Sequence, residues 1–172
     1  MLAALDRLFA FAGHLAGVFM IGTLVSVLFS IVGRLVPMLD LPGSDAYAGY
    51  FMAAAAFLAL APTLRRGEHI RVTLIADRLP PGGHRALEIF CHLVGTAIAI
   101  AFAVYSVRLV FQSRTFSDVS TGLDATPLWI PQIGMAVGTS LFALAFLTDL
   151  VLVLSGRVLR EERLDGEPAH VE

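Results

Sequence analysis

The residues able to do chemistry are few. His14 and His92 each lie about six residues past the start of a long apolar stretch. If both stretches cross a membrane in the same direction, the two imidazoles share one depth. Two histidines at one depth on different helices suit axial ligation of a b-type haem. The plainer alternative is two packed or interfacial histidines on unrelated faces. Asp149 lies near the end of the fourth apolar stretch, where it suits pairing with an arginine at the inner surface or capping a fold contact. Cys91 stands alone and cannot form an internal disulfide. No nucleophile–base pairing, metal-ligand cluster or glycine-rich phosphate loop is present, so the chain reads as non-enzymatic and free of its own cofactor. The basic residues are accounted for by topology, which leaves no nucleic-acid surface.

The elements that must position these residues are membrane spans. The 172 residues are 57% hydrophobic and 15% charged, whereas a soluble domain carries roughly one quarter charged residues. Four windows hold no Asp, Glu, Lys or Arg: Leu8–Gly33, Ala46–Leu64, Ile89–Val107 and Ala125–Thr148. Crossing about 30 Å of hydrocarbon takes roughly 20 apolar residues at about 1.5 Å each. The predicted fold is therefore all-α and integral to the membrane. Its spans lie near 8–33, 46–64, 87–111 and 128–155, with a hairpin over 65–86 and a tail over 156–172, in one membrane domain. The first window is too long for a signal-peptide core and is followed by Arg34, so it reads as a retained span.

Arginine placement sets the expected orientation, because basic residues favour the cytoplasmic side. All basic residues are arginine. Arg7, Arg65, Arg66, Arg71, Arg78, Arg85, Arg157, Arg160 and Arg163 fall on one side of a four-span chain, and Arg34, Arg108 and Arg114 on the other. Both termini are accordingly expected in the cytoplasm. The hairpin reads RRGEHIRVTLIADRLPPGG; Ile70, Leu74, Ile75 and Leu79 interleave with Arg71 and Arg78, which suits a short amphipathic interfacial helix. Alternation of Ile70, Val72 and Leu74 also fits a strand. Tyr47, Tyr50 and Trp129 lie where interfacial aromatic anchors belong.

Within the spans, small residues recur at four-residue spacing: Gly13 and Gly17, Gly95 and Ala99, Gly134 and Gly138. Such stripes let helix backbones approach closely in lipid. They serve packing inside the four-helix unit, docking on a larger subunit, or both on different faces. No acid or base occupies the centre of a span, which argues against a substrate path through this chain, since transporters bind substrate and ions near the midplane.

Two segments carry a family resemblance. RRGEHIRV, from Arg65 to Val72, follows the second span, and PLWIPQIGMAVG, from Pro127 to Gly138, opens the fourth. With four spans and a short arginine-rich tail, the chain resembles the small membrane subunit of tripartite ATP-independent periplasmic (TRAP) transporters over nearly its whole length. The resemblance implies a scaffold subunit in the bacterial inner membrane, surrounded by membrane lipids. Its partners would be a large membrane subunit holding the substrate and sodium sites, and a periplasmic binding protein delivering an organic acid such as a dicarboxylate or sugar acid. Sodium influx would drive uptake.

On that reading Arg65, Arg66, Glu68, His69 and Arg71 contact the large subunit or the inner phosphates. Asp40, Asp45, Arg114, Asp118 and Asp124 are candidates for docking the binding protein. The alternative reading is a membrane anchor of a redox complex, in which His14 and His92 would matter; a free-standing channel lacks pore-lining polar residues.

Overall fold

The computed structural model describes residues 2–36, 43–66, 81–122 and 124–155. They form four helices: α1 Leu2–Leu35, α2 Ser44–Arg65, α3 Pro81–Thr115 and α4 Trp129–Leu154. All four are long and apolar enough to cross a membrane. No strand occurs among the described residues; a single antiparallel bridge joins Val119 and Pro127. The expected interfacial helix of the hairpin and the tail 156–172 lie outside the described residues.

Each helix begins and ends for local reasons. Pro81 occupies the first position of α3, and Pro131 lies in the first turn of α4, where a missing N–H costs no internal bond. Gly43 precedes α2 with φ 88°, a left-handed conformation open to glycine at no steric cost, and its carbonyl accepts from the amides of Ala46 and Tyr47 at 3.0 and 3.3 Å. Inside the helices, Thr23, Thr63, Thr139, Ser140 and Thr148 donate their hydroxyls to carbonyls three or four residues back. In hydrocarbon no water is present to satisfy a hydroxyl, so it turns to its own backbone.

The main helix contacts run in the order α1–α2–α4–α3. The helices thus form an open row, with α2 and α4 inside and α1 and α3 at the edges. Burial follows this order: 33% and 39% of the apolar windows of α2 and α4 are buried, against 6% and 11% for α1 and α3. The seam between α2 and α4 is built from small residues: Gly134 comes close to Ala54, Gly138 to the Phe57–Leu58 backbone, and Ala61 and Ala145 share one buried cluster. At one end Phe9 of α1 reaches Ala61, Leu64 and Ala145 and closes a small core. Along both edges large apolar side chains stay exposed, among them Ile21 and Leu24 on α1 and Ile98 and Val104 on α3. An open row with apolar edges is stable only where lipid or another subunit covers it.

Candidate functional site

Polar residues gather at the two ends of the row. At the end holding the α1 N-terminus and the α4 C-terminus, Arg65 closes α2. Its Nη1 donates to Asp149 Oδ1 on α4 at 2.5 Å, and its Nη2 donates to Asp6 Oδ1 on α1 at 2.8 Å. One guanidinium therefore ties three helices. Its planar fork suits two carboxylates approaching from different sides. The side chains of Arg65 and Asp149 are only 11% and 9% exposed, and that of Asp6 is 33% exposed. The guanidinium also lies 5.9 Å from the centroid of the Phe9 ring, within cation–π range.

At the opposite end the α3–α4 connection folds into a cap over α2. Ser120 N donates to Thr126 O at 2.8 Å, and Leu128 N to Asp118 O at 2.9 Å, on either side of the Val119–Pro127 bridge. Ser117 and Ala125 take positive φ values of 55° and 46° to turn the chain. Asp124 is the hub. Its carboxylate accepts from Tyr50 Oη at 3.0 Å, from Ser120 Oγ at 2.8 Å and from the Thr126 amide at 3.4 Å. Tyr47 Oη lies 3.1 Å from Thr126 Oγ1, and the Tyr47 and Tyr50 rings meet edge to face. A Cβ on Gly43 would lie 2.6 Å from Asp124 Cβ, so the glycine permits this approach as well as the turn.

Hydrogen bonding, from Thr126 foremost and then Ser120 and Tyr50, lowers the Asp124 carboxyl to about 2. The free carboxyl titrates near 3.9. A depressed folded value contributes stability that is complete above the unfolded value and is lost as pH falls through about 2. Amide exchange at Ser120 and Thr126, corrected for intrinsic rates, is therefore expected to show constant protection from pH 5 to 8 and falling protection from pH 4 toward 2. Asp124→Asn should weaken that protection at neutral pH; unchanged protection would remove Asp124 as the hub.

The remaining sequence candidates divide clearly. Asp45 accepts from Ser30 Oγ and pairs with Arg34 at 3.2 Å, an exposed contact of small energetic weight. The Arg114 guanidinium stacks 5.6 Å from the Trp129 ring centroid, and Asp118 joins the cap through its backbone. Arg66 caps α2, its amide donating to Pro62 O at 3.1 Å. Asp40, Glu68, His69 and Arg71 lie outside the described residues. Sequence reasoning sends Arg65 toward the phosphates, whereas the structure turns it inward onto Asp6 and Asp149.

A Cβ on Gly138 would come within 2.4 Å of the Phe57 carbonyl carbon, one on Gly134 within 2.8 Å of Ala54 Cβ, and one on Gly95 within 2.6 Å of the Phe146 ring. A Cβ on Gly13 would meet Pro62 Cγ at 3.4 Å, whereas one on Gly17 would meet nothing within 4 Å. Ala99 is buried.

His14 and His92 are not brought together. They belong to α1 and α3, at opposite edges of the row. Each Nδ1 donates to its own helix, to Ala10 O at 2.7 Å and Glu88 O at 2.9 Å. No cluster of metal-ligating side chains occurs among the described residues.

Two features escape the sequence reading. Asp6 joins Arg65 although it lies outside the first charge-free window; its place just before that window, at the same membrane surface as Arg65, was the available signal. Thr96 and Ser106 are buried on α3 with hydroxyls that meet no hydrogen-bond partner. Their spacing from Ala99 and Ser113 marks the small-residue face of that helix.

Four apolar helices, tied by charge at one end and capped at the other, define a multi-pass membrane protein. The family model for tripartite ATP-independent periplasmic transporters, DctQ component, matches residues 6–156, and the chain belongs to that family. It is thus a component of a TRAP transporter. No curated protein sequence matches the chain.

Proposed function

We propose that this chain is the non-catalytic scaffold subunit of a sodium-coupled transporter in the bacterial inner membrane. Its partners are a large membrane subunit, which carries the sodium and substrate sites, and a periplasmic binding protein that delivers an organic acid. The observation that carries this reading is the open row. Its interhelical ion pairs and its carboxylate hub lie at the two ends and hold helices together, and the apolar edges of α1 and α3 are left for lipid and for a partner. No Asp, Glu, Lys or Arg lies in the middle of a described span, so ions and substrate pass through another chain.

On the arginine count both termini and the α2–α3 hairpin face the cytoplasm, with an interfacial helix in that hairpin. The cap of α3–α4 then faces the periplasm, where Arg114, Asp118 and Asp124, with Asp40 and Asp45, border the docking region of the binding protein. Glu68 and His69 brace the large subunit beside Arg66 and Arg71.

Expression with a large subunit and a binding protein from the same transporter, followed by sodium-dependent uptake of organic acids into proteoliposomes, tests the reading. Uptake should need all three proteins and collapse without a sodium gradient. Uptake that persists without this chain would refute the scaffold role. Glu68→Ala with His69→Ala should lower recovery of the large subunit in pull-down by several-fold while leaving the lone chain folded; equal recovery would release the hairpin from that role.

A further inference from the structure

The α1–α2 pair carries a groove that neither the charge-tied end nor the cap uses. Its volume is about 490 Å³, and its walls are Gly13, Gly17 and Ile21 of α1 and Ala59, Pro62 and Arg66 of α2, with His14 and Thr63 at its polar part. Along α1 it runs from Ala10 to Ile21, about 17 Å at 1.5 Å per residue. That is roughly one leaflet of a 30 Å hydrocarbon layer.

The groove is chemically graded. Arg66 stands at its mouth, at the end of α2. His14 follows one turn deeper than Ala10; its Nδ1 proton is committed to Ala10 O, which leaves Nε2 as the ring's other polar atom. Beyond it the walls are Gly17, Val18 and Ile21. The second cavity of the pair, about 380 Å³ between α1, α2 and α4, differs: Leu15, Phe19, Phe51, Leu58 and Val137 line it, and no charged residue does.

Gly17 separates a filled seam from an open one. A Cβ there would meet nothing within 4 Å, so no neighbouring helix of this chain requires the glycine. A glycine inside a helix costs roughly 0.5–1 kcal/mol relative to alanine. A Cβ on its counterpart one turn earlier, Gly13, would already meet Pro62 at 3.4 Å.

We propose that this groove binds an anionic glycerophospholipid. One acyl chain lies over Gly17 and against Val18 and Ile21, and the phosphate meets Arg66. Arginine presents five N–H donors, so a contact within the protein does not exhaust it. A cationic mouth above an apolar trough about one leaflet long matches a lipid, whose phosphate and acyl chain are joined in that same order. The inference does not depend on the identity of the transporter's partners or solute.

Native mass spectrometry of the full chain in detergent, titrated with phosphatidylglycerol or phosphatidylcholine of identical tails, tests it. Phosphatidylglycerol should bind about five-fold more tightly, the ratio expected from one basic residue at an anionic headgroup. Arg66→Gln should erase that preference while leaving tail-dependent binding. Gly17→Leu, which fills the groove, should abolish the bound lipid of either kind with no loss of thermal stability. Arg34→Gln, at the far end of α1, should change nothing.

Equal binding of the two lipids by the unaltered chain would overturn the proposal. So would retention of phosphatidylglycerol by Gly17→Leu, or full displacement of the lipid by millimolar inorganic phosphate, which would make the site one for a soluble anion. If Gly17→Leu binds lipid normally but loses the large subunit, the groove is a protein-docking surface and the proposal fails. Should Gly17→Leu misfold, the Arg66→Gln comparison decides alone.

Discussion

Arg65→Leu is expected to destabilise the chain by about 3 kcal/mol or more, the range for removing one partner of a buried ion pair. The loss has two sources. Asp149, 9% exposed, loses the Arg65 guanidinium 2.5 Å from its carboxylate, and the contact that holds α1 to α4 through Asp6 disappears. Arg65→Lys retains the charge but not the fork, so a single ammonium cannot serve both carboxylates with the same geometry; it should fall between the wild type and Arg65→Leu. Asp149→Asn should cost less than Arg65→Leu, because the amide oxygen still accepts from Nη1 and Asp6 still neutralises the arginine.

The double variant Arg65→Leu/Asp149→Leu separates pairing from packing. Replacing a buried pair by apolar side chains is often neutral, so the double variant should recover most of the loss. SDS-titrated unfolding of the four proteins measures the cycle. A single Arg65→Leu within about 0.5 kcal/mol of wild type, the range of an ordinary surface substitution, would show that the cluster does not hold the helices.

The elements of this cluster were partly legible in the sequence. Arg65 and Asp149 are both assigned to the same membrane surface by counting residues along their spans, and pairing of Asp149 with an inner arginine is one of the roles that depth allows. Their convergence with Asp6 does not follow, because depth along a helix says nothing about rotation about its axis or which helices are neighbours. The same limit explains the histidines. His14 and His92 share a depth, yet they sit on α1 and α3 at opposite edges of the row.

Span number was readable because hydrocarbon imposes it: backbone groups must be bonded within the helix, and charge is excluded over about 20 residues. Helix ends were less so. α1 begins at Leu2, well before the charge-free window at Leu8, since its first turns carry Asp6 and Arg7 beyond the apolar layer. The cap also hid behind its composition. A run rich in Ser, Thr, Asp and Gly reads as a solvated loop, but Asp124 is drawn onto Tyr50 by residues 74 positions apart in the chain.

The glycine stripes show most sharply what spacing leaves out. Gly13–Gly17 and Gly134–Gly138 share a pattern, and Gly17 and Gly138 should nevertheless respond oppositely to substitution. At Gly138 the atoms that meet an added Cβ are backbone: Phe57 carbonyl carbon at 2.4 Å, its oxygen at 2.5 Å and Leu58 nitrogen at 2.8 Å. Backbone cannot rotate aside as a side chain does, so α2 and α4 must separate. Gly138→Ala should therefore cost on the order of 2–3 kcal/mol, the upper part of the overpacking range, and Gly138→Leu should leave little folded protein. At Gly17 the space is open, so Gly17→Ala should gain roughly 0.5–1 kcal/mol from helix propensity alone. SDS-titrated unfolding of the two alanine variants reads both signs; a neutral Gly138→Ala would mean the α2–α4 seam is wider than the structure places it. The α2–α4 seam is also the one that both polar ends bridge, through Arg65–Asp149 and through Tyr50–Asp124 by way of the cap. Forcing the seam apart strains both at once, so Gly138→Ala should also lower protection of the Ser120 and Thr126 amides, some 20 residues of helix away from Arg65.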